Sequence, residues 1–126
     1  MPEMVKLELL PASFAVCQVP NLEQVDLTQE FLFIAKTDQE LSLVCLEEQL
    51  PANASASVKG WRALRIVGQL DFALVGIVAG ISRVLADASI SVFVVSTYNT
   101  DYILLQTASL AKALAALQEA GYRCAS

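Results

Sequence analysis

Hydrophobic and polar positions alternate most clearly in the second half of the chain. Residues 61–67 alternate as a strand does, and apolar residues at helical spacing follow them as far as Ala86. Asp71 stands where the N-cap of this helix is expected. Gly76 and Gly80 lie on one face of the helix, and this spacing predicts the close approach of another element.

Two strands, a helix and a last strand are predicted after this first helix. Residues 90–95 and 103–105 are rich in the β-branched and aromatic residues that favour strands. A helix is predicted from about residue 107 or 109 to a stop at Gly121, and residues 122–124 form a short last strand. This order is that of the ferredoxin-like fold, in which an antiparallel sheet carries helices on one face. The chain is therefore predicted to be an α+β protein.

The first half of the chain is predicted to contain strands and little helix. Its alternating or apolar runs are residues 5–9, 14–19, 31–35 and 41–46. Residues 51–57 are small and polar, which is the composition of a connector. We therefore expect one half at residues 1–57 and the other at residues 58–126.

The residues between the two apolar runs of the second half are more polar than a hairpin tip requires. Short hairpin turns usually contain glycine, whereas residues 96–102 contain none and carry several hydroxyl groups and the carboxylate of Asp101. Two interpretations stay open. The segment is either a ligand-binding site or a polar turn in which Asp101 is solvated.

Composition indicates self-association rather than membrane insertion. Of the 126 residues, 56% are hydrophobic and 17% are charged, so polar residues are too few to cover a monomer comfortably. The longest apolar stretch, residues 72–81, is about half the length of a membrane-spanning helix. Glu3, Lys6 and Glu8 stand where a signal peptide would be apolar. We expect a homodimer in the cytoplasm with no membrane partner.

Charge and residue content exclude several classes of function. The net charge is −5 and the basic residues form no cluster, which argues against a nucleic-acid partner. The chain has no histidine, so Ser-His-Asp catalysis and histidine-based zinc sites are excluded. Cys17, Cys45 and Cys124 are isolated, and the first two are predicted to be buried as small apolar residues. No metal, cofactor or catalytic residue is predicted.

Several separated segments carry a resemblance to a known family. They are residues 37–44, 68–72, 76–77 and 96–104. In this order they resemble the small tandem ACT-domain proteins, whose relatives include the animal cytosolic arginine sensor and the regulatory domains of aspartate kinases. The resemblance implies two tandem ACT-like halves with the βαββαβ order, of which the first is degenerate and rich in strands. It also implies that a free amino acid is held between the halves.

The chemistry of a zwitterionic amino acid agrees with that implication. Its carboxylate needs donors, which the backbone of residues 68–72 would offer at a helix N-terminus. Asp101, beside Thr97 and Thr100, would supply an anion either for its ammonium group or for a cationic side chain of the ligand. Together with the contacts that the resemblance implies, the predicted ligand-binding residues are Ser42, Leu43, Gly68, Asp71, Leu74, Thr97, Tyr98, Thr100 and Asp101.

The sequence therefore predicts a non-enzymatic sensor or regulatory module that binds a small-molecule amino acid and signals to a regulated protein partner. Gln69, Val75 and Asn99 depart from residues common in the family and leave the ligand's identity open. One alternative is a protein–protein interaction module that docks through its sheet or helix face and has a vestigial ligand cleft. A second alternative is an enzyme with Asp71 or Asp101 as general base, which the lack of histidine, metal motif and nucleotide loop disfavours.

Overall fold

The chain divides into two compact units in the computed structural model, which describes residues 5–67 and 76–125. The larger unit comprises Met1–Pro11 and Arg62–Ser126, and the smaller unit comprises Ala12–Trp61. The boundary predicted after residue 57 lies inside a strand in the structure, because residues 56 and 57 begin that strand. The N-terminal strand belongs to the larger unit, although the sequence analysis assigns it to the first half.

The chain forms eight strands and two α-helices in the described residues. They are β1 (Lys6–Leu9), β2 (Phe14–Gln18), β3 (Phe33–Lys36), β4 (Leu41–Leu46), β5 (Ala56–Ile66), α1 (Ile77–Asp87), β6 (Val92–Ser96), β7 (Asp101–Gln106), α2 (Leu110–Glu119) and β8 (Arg123–Ala125). Short 3-10 turns occupy Glu47–Gln49 and Thr107–Ser109. In the part of the chain that the structure describes, no helix is long and apolar enough to cross a membrane.

The sheet of the larger unit contains an added N-terminal strand. The predicted order of strand, helix, strand, strand, helix and strand is confirmed by β5, α1, β6, β7, α2 and β8. β1 lies between the first and last of these strands, antiparallel to β5 and parallel to β8. Leu7 of β1 stands opposite Ile66 on one side and Cys124 on the other. β7 pairs with both β5 and β6.

Both helices cover one face of this sheet, as the ferredoxin-like order predicts. Successive strand residues point to opposite faces, so alternate positions of each strand enter the same core. The buried residues of this core are Leu7, Leu64, Ile66, Ile81, Leu85, Ile90, Ile103, Leu105, Ala113, Leu117 and Tyr122. Removing these apolar side chains from water is the main stabilising contribution to the unit.

The smaller unit is an antiparallel sheet with the strand order β3, β4, β2, β5. The strands predicted at residues 14–19, 31–35 and 41–46 are confirmed, with β3 beginning two residues later than predicted. Residues 12–61 form no α-helix. Cys17, Val19, Val25 and Leu43 form a small buried core to which partly buried loop residues add.

The two cysteines of the smaller unit are buried, as their apolar surroundings predict. Cys17 lies on β2 and Cys45 on β4, and both are free thiols. Burial raises the pKa of Cys45 to about 11 and also raises the pKa of Cys17. The two thiols are therefore protonated near neutral pH and act as small apolar side chains.

The close approach predicted at the two helix glycines is confirmed at one of them. A Cβ atom added at Gly80 would lie 2.9 Å from the hydroxyl oxygen of Tyr122. A Cβ atom added at Gly76 would meet nothing within 4 Å, and this residue instead has a φ of +86° at the N-cap of α1. The space beside Gly80 therefore admits the segment that follows α2.

The end of α1 is a Schellman motif, which satisfies carbonyl groups that the helix leaves unpaired. The backbone N–H of Ser89 donates to the carbonyl of Ala86, and that of Ile90 donates to the carbonyl of Leu85, both at 2.9 Å. This geometry places Ser89 in the left-handed region, with a φ of 62°. A residue with a side chain pays about 1–2 kcal/mol to adopt this conformation.

The end of α2 has the same motif with a glycine at the corresponding position. Gly121 has a φ of 101°, and its N–H donates to the carbonyl of Gln118 at 3.0 Å. The N–H of Tyr122 donates to the carbonyl of Leu117 at 3.0 Å. The predicted helix stop at Gly121 is therefore confirmed.

These two helix ends make a matched pair of substitutions. Ser89→Gly should raise the free energy of unfolding by about 1 kcal/mol because it removes the left-handed strain. Gly121→Ser should lower it by a similar amount, about 1 kcal/mol. Urea denaturation followed by circular dichroism measures both changes. A less stable Ser89→Gly variant would contradict the helix end described here.

Candidate functional site

The turn that joins β6 and β7 holds most of the predicted site residues that the structure describes. β6 and β7 pair in antiparallel fashion, with Ser96 opposite Asp101, so the predicted hairpin is confirmed. The N–H of Thr97 donates to the carbonyl of Thr100 at 2.8 Å, and the Thr97 hydroxyl donates to the same oxygen at 3.1 Å. The N–H of Thr100 donates back to the Thr97 hydroxyl at 3.3 Å. These bonds close the turn without a glycine.

Thr100 fastens this turn to β5. Its side chain is 7% exposed, and its hydroxyl donates to the backbone carbonyl of Ile66 at 2.7 Å. A buried hydroxyl needs such a partner, because burying it unpaired costs free energy. The Thr100 hydroxyl therefore holds the turn in place.

Asp101 and Tyr98 are the residues of the turn that present distinctive chemical groups. Asp101 is half-buried at the first residue of β7, and no side chain within residues 5–67 and 76–125 forms a hydrogen bond or ion pair with its carboxylate. Tyr98 is 76% exposed at the tip. An anion and an aromatic ring are thus accessible on one closed turn.

Tyr102, which follows Asp101, packs against Arg65 on the sheet face opposite the helices. The guanidinium carbon of Arg65 lies 5.9 Å from the centre of the Tyr102 ring. Arg65 also donates from its Nη2 to a carboxylate oxygen of Glu8 at 2.9 Å. Hydrogen bonding to Tyr102 and to Glu8 raises the pKa of Arg65. These contacts fix the strand end that carries Asp101.

Ser42 and Leu43 lie on β4 of the smaller unit. The Ser42 hydroxyl donates to the carboxylate of Glu40. Leu43 is 1% exposed and belongs to the small core of that unit. The other predicted contacts, Gly68, Asp71 and Leu74, lie outside the described residues.

A cleft that the sequence analysis missed lies within the smaller unit. Its volume is about 710 Å³, and residues 18–22, residues 36–41 and Ser55 line it. The visible sequence signal is the group of charges around the turn between β3 and β4, at Lys36, Asp38 and Glu40. Within the described ranges, no three His, Cys, Asp or Glu residues are grouped as metal ligands.

Two family models match the chain. The model of the ACT domain matches residues 56–119, and a second model, which describes an N-terminal domain, matches residues 12–53. None of the curated protein sequences compared with the chain matches it significantly.

Solved structures resemble the chain over nearly its whole length. A crystal structure of a protein from Agobacterium tumefaciens is 29% identical, with a TM-score of 0.84, and the match covers 97% of this chain and 93% of that one. A Vibrio cholerae protein, described as a possible transport protein of unknown function, is 24% identical, with a TM-score of 0.78 and coverage of 96% and 93%.

The regulatory subunit of aspartate kinase from Thermus thermophilus also resembles the chain. It is 12% identical, with a TM-score of 0.57, and the match covers 92% of this chain and 95% of that one. At such identity the likeness shows the fold alone.

The bond between Thr100 and Ile66 gives a test of the turn. Thr100→Val removes the hydroxyl at nearly constant shape and should lower the free energy of unfolding by about 1–3 kcal/mol. Thr100→Ser keeps the hydroxyl and serves as the control, with a much smaller loss expected. Urea denaturation followed by circular dichroism measures both. Equal losses in the two variants would contradict an anchoring role for the hydroxyl.

Proposed function

Because the chain belongs to the ACT-domain family, we propose that it is a regulatory module that binds a free amino acid. The observation that carries the proposal is the match of the ACT-domain model to residues 56–119, which include the closed turn and Asp101. The family suggests a regulatory role with a small ligand. The amino-acid ligand is our inference from the chemistry of the turn.

Asp101 is the proposed partner of the ligand's ammonium group. Asp101 is half-buried, and the hydrogen bonds within residues 97–100 hold the preceding turn. A carboxylate in such a position forms charge-assisted hydrogen bonds, which are worth about 1.5–3 kcal/mol. Thr97 and Tyr98 lie in the same turn and are proposed to contact the same ligand.

The other predicted site residues have different roles in this proposal. Thr100 acts through the turn that its hydroxyl holds. Contacts with the ligand from Ser42, Leu43, Gly68, Asp71 and Leu74 stay predictions, as does a ligand position between the two halves.

The proposed mechanism is linkage between ligand binding and a conformational state. A ligand stabilises the state that binds it more tightly, by no more than its difference in affinity between the states. A protein partner that recognises the same state would then respond to the amino acid. The regulated partner and the cytoplasmic location belong to this proposal.

The proposal includes no catalytic activity for this chain. Support comes from the match to the ACT-domain model, which suggests a regulatory role, and from the absence of histidine in the sequence. Without histidine the chain lacks the side chain that most often serves as a general base near neutral pH.

We also propose that the protein forms a homodimer through an apolar row on the smaller unit's sheet. The row consists of Phe33, Val44, Val16 and Val58, which stand opposite one another across β3, β4, β2 and β5. Val58 is 53% exposed and the other members are half-buried. The adjacent row, Ala35, Ser42, Gln18 and Ala56, is uncharged.

An uncharged surface of this kind suits a second copy of the chain. In a two-fold dimer the same patch meets itself, and a charge buried there without a partner would cost free energy. The two rows avoid that cost and offer apolar area for burial.

A thermal-shift screen against the twenty amino acids, followed by calorimetry, tests the proposed ligand. A ligand at 100 times its dissociation constant should add about 2.7 kcal/mol of stability and raise the melting temperature by several degrees. Asp101→Asn should weaken binding of that amino acid by about 1.5–3 kcal/mol. Asp87→Asn is the control, because Asp87 is an exposed helix residue whose pairing with Arg83, at 3.6 Å, is worth little.

Two results would count against the proposed ligand. One is a folded protein, with a cooperative melt, that no amino acid stabilises. The other is an amino acid that binds wild type, Asp101→Asn and Asp87→Asn equally, which would remove Asp101 from the site.

Light scattering after size-exclusion chromatography tests the homodimer. Wild type should have about twice the chain mass of 13.6 kDa. Val58→Glu would bury an unpaired charge at the interface and should shift the protein towards monomer. Val67→Glu, at another exposed valine, should leave the mass unchanged. A monomeric wild type, or a Val58→Glu variant that stays dimeric, would contradict the proposed interface.

A further inference from the structure

β6 forms one edge of the larger unit's sheet. Among the residues that the structure describes, it pairs with β7 alone, with Val92 opposite Leu105 and Ser96 opposite Asp101. A strand carries backbone N–H and C=O groups on both of its edges, and each group needs a hydrogen-bond partner. One edge of β6 is bonded to β7, and the other is open in the described part of the chain.

The hairpin determines which residues carry the open backbone groups. The N–H of Thr97 donates to the carbonyl of Thr100 at 2.8 Å, so these two residues form a hydrogen-bonded pair. In an antiparallel pair of strands, bonded and non-bonded positions alternate. Positions an even number of residues before Thr97 therefore bond to β7, and the positions between them direct their N–H and C=O groups away from it. The outward positions of β6 are Val92, Val94 and Ser96.

The open edge of β6 lacks the features that usually protect an exposed edge. Proteins protect such edges with a charge, a proline, a bulge or a very short strand. β8 is three residues long and begins with Arg123, and β3 ends with Lys36. β6 is five residues long, and no charged residue or proline occurs from residue 88 to residue 100. Of these three edge strands, β6 is therefore the one without protection.

The side chains of β6 indicate what an added strand would contain. Val92 and Val94 pack against the core beneath the helices and are only half-buried. Phe93 and Val95 point to the opposite face and are half-buried as well. The side chains of an added strand would lie beside these four residues, where a charge would contact apolar groups. The edge therefore suits an uncharged strand of β-branched or aromatic residues.

From the open backbone groups and apolar side chains of this edge, we propose that β6 docks an extended, uncharged segment of another protein as an added strand. The backbone of that segment bonds the outward groups of Val92, Val94 and Ser96. A partner protein suits this edge better than a second copy of the chain. Identical copies already meet through the smaller unit in the proposed homodimer, and a second contact between copies would join dimers into an open chain.

This inference rests on the proposed function in one respect, which is that the segment belongs to the regulated partner. β6 ends at Ser96, and the closed turn that precedes Asp101 begins at the next residue. An amino acid bound at that turn would hold the end of β6 in its strand conformation. The amino acid should therefore favour the added strand, which couples the ligand to the partner.

Amide hydrogen exchange of the full chain, followed by NMR, tests whether the edge is open. In the free protein the amides of Phe93 and Val95 should exchange slowly, because they bond to β7. The amides of Val92, Val94 and Ser96 should exchange about tenfold faster or more. Slow exchange at these three positions would show that a second copy or another part of the chain covers the edge, and it would overturn the proposal.

A synthetic peptide of alternating valine and threonine, with a lysine at each end for solubility, tests strand addition. Every second residue is N-methylated, so the peptide has a single edge that can pair and cannot build a sheet by itself. The control peptide is N-methylated at every residue and has no such edge. The first peptide should slow exchange at Val92, Val94 and Ser96 about tenfold or more, and the control should not. Equal effects of the two peptides, or no effect of either, would overturn the proposal.

Two substitutions of one outward residue locate the peptide on β6. Val94→Pro removes an N–H group that points away from β7, so the pairing with β7 is kept. It should weaken peptide binding about tenfold, because an added strand loses a backbone bond and meets the proline ring. Val94→Thr keeps the N–H group and the branched shape, and it is the matched control. Equal binding by the two variants would contradict docking at β6. If Val94→Pro does not fold, the exchange results on wild type decide alone.

Peptide titrations with and without the amino acid found by the thermal-shift screen separate this inference from the proposed function. The amino acid should tighten peptide binding about fivefold or more. Unchanged peptide affinity would contradict the assignment of the segment to the regulated partner. A peptide that protects the edge while no amino acid binds would support the added strand and count against the proposed ligand. An amino acid whose binding depends on Asp101, with neither peptide bound at β6, would overturn the added strand and leave the proposed function in place.

Discussion

The sheet of the larger unit depends on the pairing of β1 with both β5 and β8. Leu7 of β1 is fully buried in the core beneath α1 and α2, and Glu8 pairs with Arg65 on the opposite face. Arg65 in turn lies over Tyr102, the residue that follows Asp101. The N-terminal strand therefore supports the strand end that carries the proposed ligand contact. A functional group held on a sheet in this way is positioned more firmly than one on a free loop.

Much of the larger unit could be predicted from sequence because its signals are local. Alternation marks β5, helical spacing marks α1 and α2, and Gly121 marks a helix end. The turn between β6 and β7 could also be predicted, because apolar runs flank a polar segment. The strands that pair with β1 could not be predicted in this way. Alternation predicts that a segment is a strand, but it does not identify the distant strand with which that segment pairs. That choice moves β1 out of the predicted first half and into the larger unit.

In the candidate sites, the contacts of single side chains could not be predicted from local sequence patterns either. The sequence identifies Thr100 as a polar residue of the turn, but only the fold reveals that its hydroxyl is bonded to Ile66. Similarly, Ser42 is predicted from resemblance, and its hydroxyl orients the carboxylate of Glu40. The cleft of the smaller unit has walls from separate segments, joined by the bond between Val19 and Leu41. No local sequence pattern indicates that these two segments lie side by side.

An ACT-domain module acts through what it binds, so the central claim is that an amino acid contacts the closed turn before β7. The most direct measurement is a titration of ¹⁵N-labelled protein with each amino acid, followed by NMR at every assigned backbone amide. One amino acid should shift the signals of residues 97–101 in a saturable manner. Signals at these residues that stay unchanged with every amino acid, in a folded protein, would contradict it.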